Sequence, residues 1–510
     1  MLALLAAAGL QATQLDYVPF SDTAEYADCV LDAVRFADPG RLVCADHPTF
    51  VYLGLLALPQ LAFFGSPTAL LATNFVLACT FALYAVGPVT RLVGTDGLPA
   101  RLALLALVVQ PLVAVGWVQF SADTGLMLFT LPFLWELAAG RTGRAALLGL
   151  ALAGCKETGW LLVAAAAAAS VWMRRGQGPA QVVRGHLPLI APGLLVLAWF
   201  GVRGVTAGEG EHVLWHGLGA EDILATARDG KAAGLLATLL VNVGVLQFLW
   251  IAVPFAFLSL RQRLPRAWAG SEDSADRFIG LVAAALLVVP VLSVLPILHG
   301  VPRYTAFLVP PLLLVALDGL TRWSSGGRAR VVGPAVMAAL WLLSCFRTAD
   351  PVSRAVFGTF PFGRHELLYM TSLAKDWPGP GEDQLAYNFE ILYIPRLVDR
   401  ALRDLRPPEG ALLVLPPEAS WRVVHRVDRA THGRTLQHDG AYTAQVLGEV
   451  VNPFGELDAT WLYGLCLPNA DGANVHQMLG RLAPPGVRVL YELGGYSLEV
   501  HLANEAAIPG

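Results

Sequence analysis

From Met1 to about Phe346 the chain alternates long apolar runs with short polar connections, the pattern of helices crossing a lipid bilayer. A spanning segment must satisfy its own backbone hydrogen bonds, so runs of roughly 20 apolar residues are expected as α-helices. About eleven such segments can be drawn. They are Met1 to about Gln14, Pro67–Val86, Pro99–Phe120, Thr124–Ala139, Ala145–Ala153, Thr158–Met173, Leu187–Val205, Leu235–Leu260, Phe278–Leu298, Tyr304–Leu320 and Val332–Phe346. The first is short and its apolar character also fits a signal-peptide core. No basic leader or cleavage site follows it, so an uncleaved helix is expected.

Arginine sets the orientation. Counting alternate connections, one set holds Arg91, Arg101, Arg141, Arg144, Arg174, Arg175, Arg184, Arg261, Arg263, Arg266, Arg277, Arg322, Arg328 and Arg330, and is therefore cytoplasmic. The other includes Asp16–Asp46, where Asp16, Asp22, Glu25, Asp28, Asp32, Asp38 and Asp46 face only Arg35 and Arg41. This register places the N-terminus in the cytoplasm. It also requires that the apolar run Phe50–Phe64 not cross, and the run is assigned to an interfacial helix on the outer leaflet. The alternative, in which it spans and a neighbour does not, puts the later arginine loops outside.

Beyond Phe346 the texture changes. Residues 347–510 hold no spanning segment. Short apolar runs at Ala411–Leu415, Trp421–Val427, Thr460–Leu467, Val487–Glu492 and Ser497–Leu502 read as strands, with helical patterns at Ile391–Leu405 and Ala473–Leu482. Gly494-Gly495 is placed to turn a final hairpin. A soluble extracytoplasmic α/β or α+β domain is expected here, after a transmembrane domain at 1–346 whose outer loop and interfacial helices occupy 16–65. No phosphate loop, nucleotide fingerprint or metal-spaced Cys/His set occurs in it, and no nucleic-acid partner is expected.

Composition adds the class and the first pointer to chemistry. A chain of 510 residues that is 55% apolar and 15% charged, with mean hydropathy +0.56, lies outside the soluble globular range. A polytopic α-helical membrane protein is the expected class. Lysine occurs only three times, and Lys156 stands with Glu157 in the middle of the apolar stretch Ala145–Met173. Charges at that depth are costly and usually face a water-filled cavity, so the stretch reads as two short spans meeting at a charged elbow. In this topology the first-loop acids with His47, then Asp123, Lys156 with Glu157, the Glu209–Lys231 loop and His299 with Arg303 all reach the outer face. Each has a plainer reading as well: Asp123 as a helix cap, Arg303 as a snorkelling interface residue, the first-loop acids as a solvated loop. Cys29 and Cys44 lie in the same outer loop and are either two buried thiols or, in an oxidising compartment, a disulfide.

The order of these features resembles the GT-C superfamily of polyprenyl-phosphate-sugar-dependent glycosyltransferases, in the branch holding protein O-mannosyltransferases and lipid A aminoarabinose transferases. The acidic first loop D-T-A-E-Y-A-D at Asp22–Asp28 is similar to the D-x-x-x-Y-A-E of that branch. His47-Pro48-Thr49-Phe50-Val51-Tyr52 resembles its basic residue before two prolines and an aromatic-rich interfacial helix. Ala122-Asp123 corresponds to a Pro-Asp opening a span, Gly149–Thr158 to a Gly/Leu-rich element ending in Thr-Lys, and Arg303-Tyr304 with Pro310-Pro311 to an R-Y-x-x-x-x-x-P-P element. Thr49, Ala122 and Cys155 depart from the pattern, and His47 stands where the aminoarabinose branch has lysine.

The resemblance implies a GT-C-like fold at the outer face of a bacterial cytoplasmic membrane, with inversion at the anomeric carbon. An acceptor hydroxyl or amine on a lipid, glycan or protein would attack the sugar, and the polyprenyl phosphate would leave. Such a reaction needs a carboxylate to take the acceptor proton. Asp22 is the candidate by resemblance, with Glu25 on the same helical face at i,i+3 and Asp28 nearby to tune it. It also needs positive charge for the departing phosphate, and Lys156 and Arg303 are the candidates. His47 either donates to that phosphate or caps the interfacial helix, and Tyr304 is either a ligand or an interface anchor. Asp123 and Glu157 either hold the cations or bind sugar hydroxyls. The scheme requires no metal, although acidic first loops in some relatives bind divalent ions. Membrane lipids are the remaining partner. Two other classes compete: a transporter or flippase of lipid-linked sugars, in which the cations bind and nothing reacts, and a catalytically silent membrane assembly protein.

Overall fold

The structure is a computed structural model that describes residues 2–12, 22–44, 48–63, 67–94, 97–206, 224–294 apart from 226, 302–323, 327–346, 350–362, 365–369, 384–386 and 400, with strands at 413–414, 461–466, 487–493 and 496–502. Its helices are α1 (Leu2–Ala12), α2 (Asp22–Arg35), α3 (Phe50–Phe63), α4 (Pro67–Val93), α5 (Leu98–Val109), α6 (Pro111–Val118), α7 (Ala122–Ala138), α8 (Thr142–Ala153) and α9 (Glu157–Met173). Then follow α10 (Pro179–His186), α11 (Ile190–Thr206), α12 (Lys231–Gly244), α13 (Leu249–Trp268), α14 (Ser274–Leu286), α15 (Val288–Ser293), α16 (Val309–Trp323), α17 (Gly327–Phe346) and α18 (Pro351–Phe357).

Each apolar run expected to cross falls on one of these helices or on a consecutive pair. Among the described residues, four helices are long and apolar enough to cross a membrane, or up to seven if each bent pair is one span. That is fewer than the eleven segments drawn from the sequence, because α1, α7, α8 and α9 are shorter than a full span.

Two runs read as single spans are broken. Between α5 and α6 the chain bends by 63° at Gln110. Pro111 has no N–H to give the preceding turn, and the carbonyls this exposes find other donors. Trp117 Nε1 donates to Val108 O at 3.1 Å and Cys345 Sγ to Val109 O at 3.4 Å, while Gln110 caps α6 by accepting from Val113 N. The second break, 49°, lies between α12 and α13. Gln247 (φ 51°) and Phe248 (φ 65°) there occupy the left-handed region, which is uncommon for such residues. Asp350, at the head of α18, accepts from Phe248 N at 2.9 Å and from Trp250 Nε1 at 2.8 Å. Ser353 Oγ accepts from Gln247 N at 3.0 Å. Polar groups 100 residues downstream thus supply what a broken membrane helix cannot supply to itself.

The bundle is tied at one end by buried ions. Arg263 on α13 pairs with Asp318 on α16 at 3.0 Å and with Asp276 on α14 at 2.6 Å, and Ser259 donates to Asp318 at 2.6 Å. Close backbone approach brings these helices together, since a Cβ on Gly319 would stand 1.9 Å from Phe255 O.

Past the bundle, β1 (Thr359–Phe362) and β2 (His365–Leu368) form an antiparallel hairpin. A second sheet has strand order β3-β4-β6-β5, from β3 (Leu413–Val414), β4 (Trp461–Cys466), β5 (Val487–Leu493) and β6 (Tyr496–Leu502). In it β5 and β6 pair antiparallel with Leu493 opposite Tyr496, the register a turn at Gly494-Gly495 requires. The expected strand Trp421–Val427 and the helical patterns at Ile391–Leu405 and Ala473–Leu482 lie outside the described residues.

Gly319→Ala is expected to force α13 and α16 apart and lower stability by about 1–3 kcal/mol. Gly193→Ala, with nothing within 4 Å of the new Cβ, should be silent. Thermal denaturation in detergent measures both, and equal melting temperatures would show that the α13–α16 contact does not limit stability.

Candidate active site

Three segments converge at the end of the bundle opposite the Arg263 cluster. The first is the opening turn of α7, where Ser121 caps the helix by accepting from Thr124 N at 3.2 Å. Asp123 therefore sits inside the first turn with its carboxylate free for other work, and the cap reading of Asp123 gives way to Ser121. The second is the elbow between α8 and α9, where Lys156 occupies the N-cap position and Glu157 the first helical position. The third is the turn Pro302–Leu308, which carries Arg303 and Tyr304 into α16, with Pro310-Pro311 in that helix's first turn.

Their side chains meet. Lys156 Nζ donates to Asp123 Oδ1 at 3.0 Å and Oδ2 at 3.1 Å, with Lys156 7% and Asp123 6% exposed. Arg303 Nε stands 3.8 Å from Asp123 Oδ2. The Tyr304 ring lies under both cations, its centroid 4.4 Å from Lys156 Nζ and 5.9 Å from Arg303 Cζ. Asp123 thus holds Lys156 directly and stands within ion-pair distance of Arg303, so cations from two separate segments reach one nearly dry corner, where charge-assisted contacts to an anion are strong. Beside it a small cleft is lined by Gln119, Ser121, Asp123, Thr124 and Arg303, with apolar walls from Leu112, Val115, Met127 and Ala306. The room it leaves, ≈ 20 Å³, is that of about one water molecule.

The elbow is fixed by glycines. A Cβ on Gly159 would stand 2.1 Å from Leu152 O, and one on Gly154 2.2 Å from Val51 Cγ2, so α9 and the start of α3 both close directly on the turn. Val51 N donates to Gly154 O at 3.0 Å. The run after His47-Pro48 is thereby anchored to the loop that carries Lys156. His47 itself lies outside the described residues, as does His299. Asp22, Glu25 and Asp28 fall on α2, which packs against α3, but their side chains lie outside what is described. Cys29 on α2 is joined by a disulfide to Cys44, 15 residues on, tying α2 to the segment that leads into α3. Among the described residues no three His, Cys, Asp or Glu side chains stand close enough to share a metal ion.

Sequence reasoning missed the group that shapes the cleft. Asn74, fully buried in α4, donates through Nδ2 to Gly116 O (2.9 Å), Trp117 O (3.1 Å) and Gln119 O (2.9 Å), the open carbonyls at the end of α6. Tyr52 OH donates to its Oδ1 at 2.7 Å. A lone asparagine inside a 27-residue apolar helix was the available signal.

The order and packing of these helices are similar to those of a solved membrane protein. No protein-family model and no curated protein matches the sequence. Among solved structures, ArnT from Cupriavidus metallidurans, a lipid A aminoarabinose transferase, matches over 100% of this chain and 98% of its own. For its complex with undecaprenyl phosphate the identity is 14% and the TM-score 0.54, and for its apo state 14% and 0.53. At that identity the likeness establishes the fold.

Asp123→Asn is expected to leave Lys156 buried without the carboxylate it is bonded to and to cost about 3–5 kcal/mol. Asp123→Leu combined with Lys156→Met should recover much of that loss. A double-mutant cycle on melting in detergent measures the coupling, and strictly additive effects would mean that the pair does not hold the elbow.

Proposed function

We propose that this chain is a glycosyltransferase that moves a sugar from a polyprenyl-phosphate donor to an acceptor hydroxyl or amine at the outer face of a bacterial cytoplasmic membrane. The observation that carries the reading is the convergence of buried Lys156 and half-buried Arg303 on Asp123, at one end of a bundle whose fold matches, along its whole length, a transferase crystallised with undecaprenyl phosphate.

In this reading the acceptor oxygen or nitrogen attacks the anomeric carbon as the bond to the phosphate oxygen breaks. The phosphodiester donor carries one negative charge and the departing polyprenyl phosphate gains a second. Lys156 and Arg303 meet that growing charge, and a site already desolvated makes their attraction stronger than it would be in water. Asp123 keeps both cations in place before substrate arrives, so that little reorganisation is needed at the reacting moment. Tyr304 fixes the two cations over its ring face. The acceptor proton goes to a first-loop carboxylate, Asp22 with Glu25 as its neighbour, and a single displacement inverts the anomeric centre. His47, at the mouth of α3, is a further donor to the phosphate. The prenyl tail lies in lipid beside the bundle.

The test is transfer of label by the purified protein, given a panel of radiolabelled polyprenyl-phosphate sugars and a membrane extract as acceptor. Wild type should transfer from one donor. Asp22→Asn should lose about 10²–10⁴-fold in rate while still binding that donor, the range expected for loss of a general base. Arg303→Gln should lose activity too, about 10²–10³-fold for one stabiliser of developing charge. A wild-type protein that binds donors and transfers none would overturn the reading in favour of a lipid-sugar carrier.

A further inference from the structure

The face opposite the Lys156 site holds a cation that meets no acid among the described residues. Arg174 follows α9, a helix of 17 residues, and so lies about 25 Å from Lys156 along the helix axis, on the arginine-rich cytoplasmic side. Its Nη2 is buried and makes no hydrogen bond. The backbone around it is open: a Cβ on Gly140, in the α7–α8 turn, would stand 3.4 Å from Nη2, and one on Gly185, in α10, 3.9 Å from Nη1. Another cation, Arg277 on α14, acts on it, and the Nε of Arg277 donates to Ser271 O. Burial and then Arg277 both push the Arg174 pKa below the ordinary arginine value.

The buried carboxylates of this face are already taken. Glu136 is held by Arg141 and Tyr84, and Asp276 and Asp318 are held by Arg263. Among the described residues none pairs with Arg174. A guanidinium sunk beside a like charge, with an unmet donor and glycines on two sides, has the chemistry of an anion site.

We propose that Arg174, with Arg277, binds the phosphate of an anionic phospholipid headgroup from the cytoplasmic leaflet. The surroundings favour lipid over free phosphate. Trp172 is 58% and Trp268 47% exposed, as aromatic side chains at a membrane boundary are. Arg175 stacks on Trp172, 4.5 Å from its centroid, and donates to the backbone carbonyl of Trp268 at 2.7 Å, joining the ends of α9 and α13 beside Arg174. On the other side Val183, Leu187 and Ile190 present exposed apolar side chains where acyl chains would run. Basic recesses between helices on the cytoplasmic side are the expected seats for such headgroups. The site is independent of the transfer reaction and stands whether or not that reading holds.

Native mass spectrometry of the full-length protein tests it, titrating phosphatidylglycerol against phosphatidylcholine of the same chain length, with inorganic phosphate as competitor. Wild type should retain one phosphatidylglycerol in preference. Arg174→Gln should reduce that preference about fivefold, the worth of one basic residue at an anionic lipid surface. Arg174→Lys should keep part of it. Gly185→Val, which leaves the charge and narrows the recess, should reduce it as well and decides the matter if Arg174→Gln does not fold. Unchanged preference in a folded Arg174→Gln or in Gly185→Val would overturn the proposal. Displacement of the lipid by inorganic phosphate alone would overturn it too, assigning the site to a soluble anion.

Discussion

A lysine buried at the end of a membrane bundle must be neutralised, and most of what surrounds Lys156 follows from that. Its ammonium lies against both oxygens of Asp123. For the two to meet, α7 has to begin beside the α8–α9 elbow, and the elbow has to be tight enough to point Lys156 back at it. Gly154 and Gly159 make the turn tight, and α3 closes onto it through Val51. Ser121 takes over the capping of α7, which leaves the Asp123 carboxylate to the cations. Arg303 then arrives from a distant turn as a second cation, 3.8 Å from the same carboxylate.

The same rule operates where helices break. In a bilayer an unpaired carbonyl or amide has no water to turn to. At Gln110 the open carbonyls are met by Trp117 and Cys345, at the end of α6 by Asn74, and at Gln247 and Phe248 the amides are met by Ser353 and Asp350. These side chains come from other helices, so each break is also a tertiary joint. The α6 joint supports the cleft beside Asp123, and the Asp350 joint links the bundle to the helix that leads into the strands beyond it. Rigid seating of the site thus depends on polar groups that touch none of the proposed reacting atoms.

Charge is also divided between the two ends of the bundle. At the Arg263 end acids and arginines pair off around Arg263 and Glu136, which locks helices together, while among the described residues Arg174 meets no acid. At the other end Asp123 is shared between two cations. Matched charge serves packing, and Arg174, without an acid among the described residues, is where the proposed lipid phosphate would sit.

Much of the architecture was legible because each spanning helix must satisfy its backbone alone and face lipid or other helices with apolar side chains. The apolar runs therefore marked the existence of α4, α7, α8, α9, α16 and α17, with ends that differ by up to seven residues, and the register of the last hairpin. Lys156, Asp123, Arg303 and Tyr304 were legible as charges and rings out of place, and the pairing of Cys29 with Cys44 was left open as one of two readings. What the sequence could not decide was partnership. Hydropathy treats Pro99–Phe120 and Leu235–Leu260 as continuous, since a bend costs nothing on that scale, and only the arrival of Cys345 or Asp350 makes the break tolerable. That Asp123 takes Lys156, that Asn74 gathers the end of α6, and that Arg174 has no acid to meet it depend on contacts between residues tens to hundreds of positions apart. Such contacts exist only once the helices are packed, because only packing removes the water that would otherwise satisfy each group by itself.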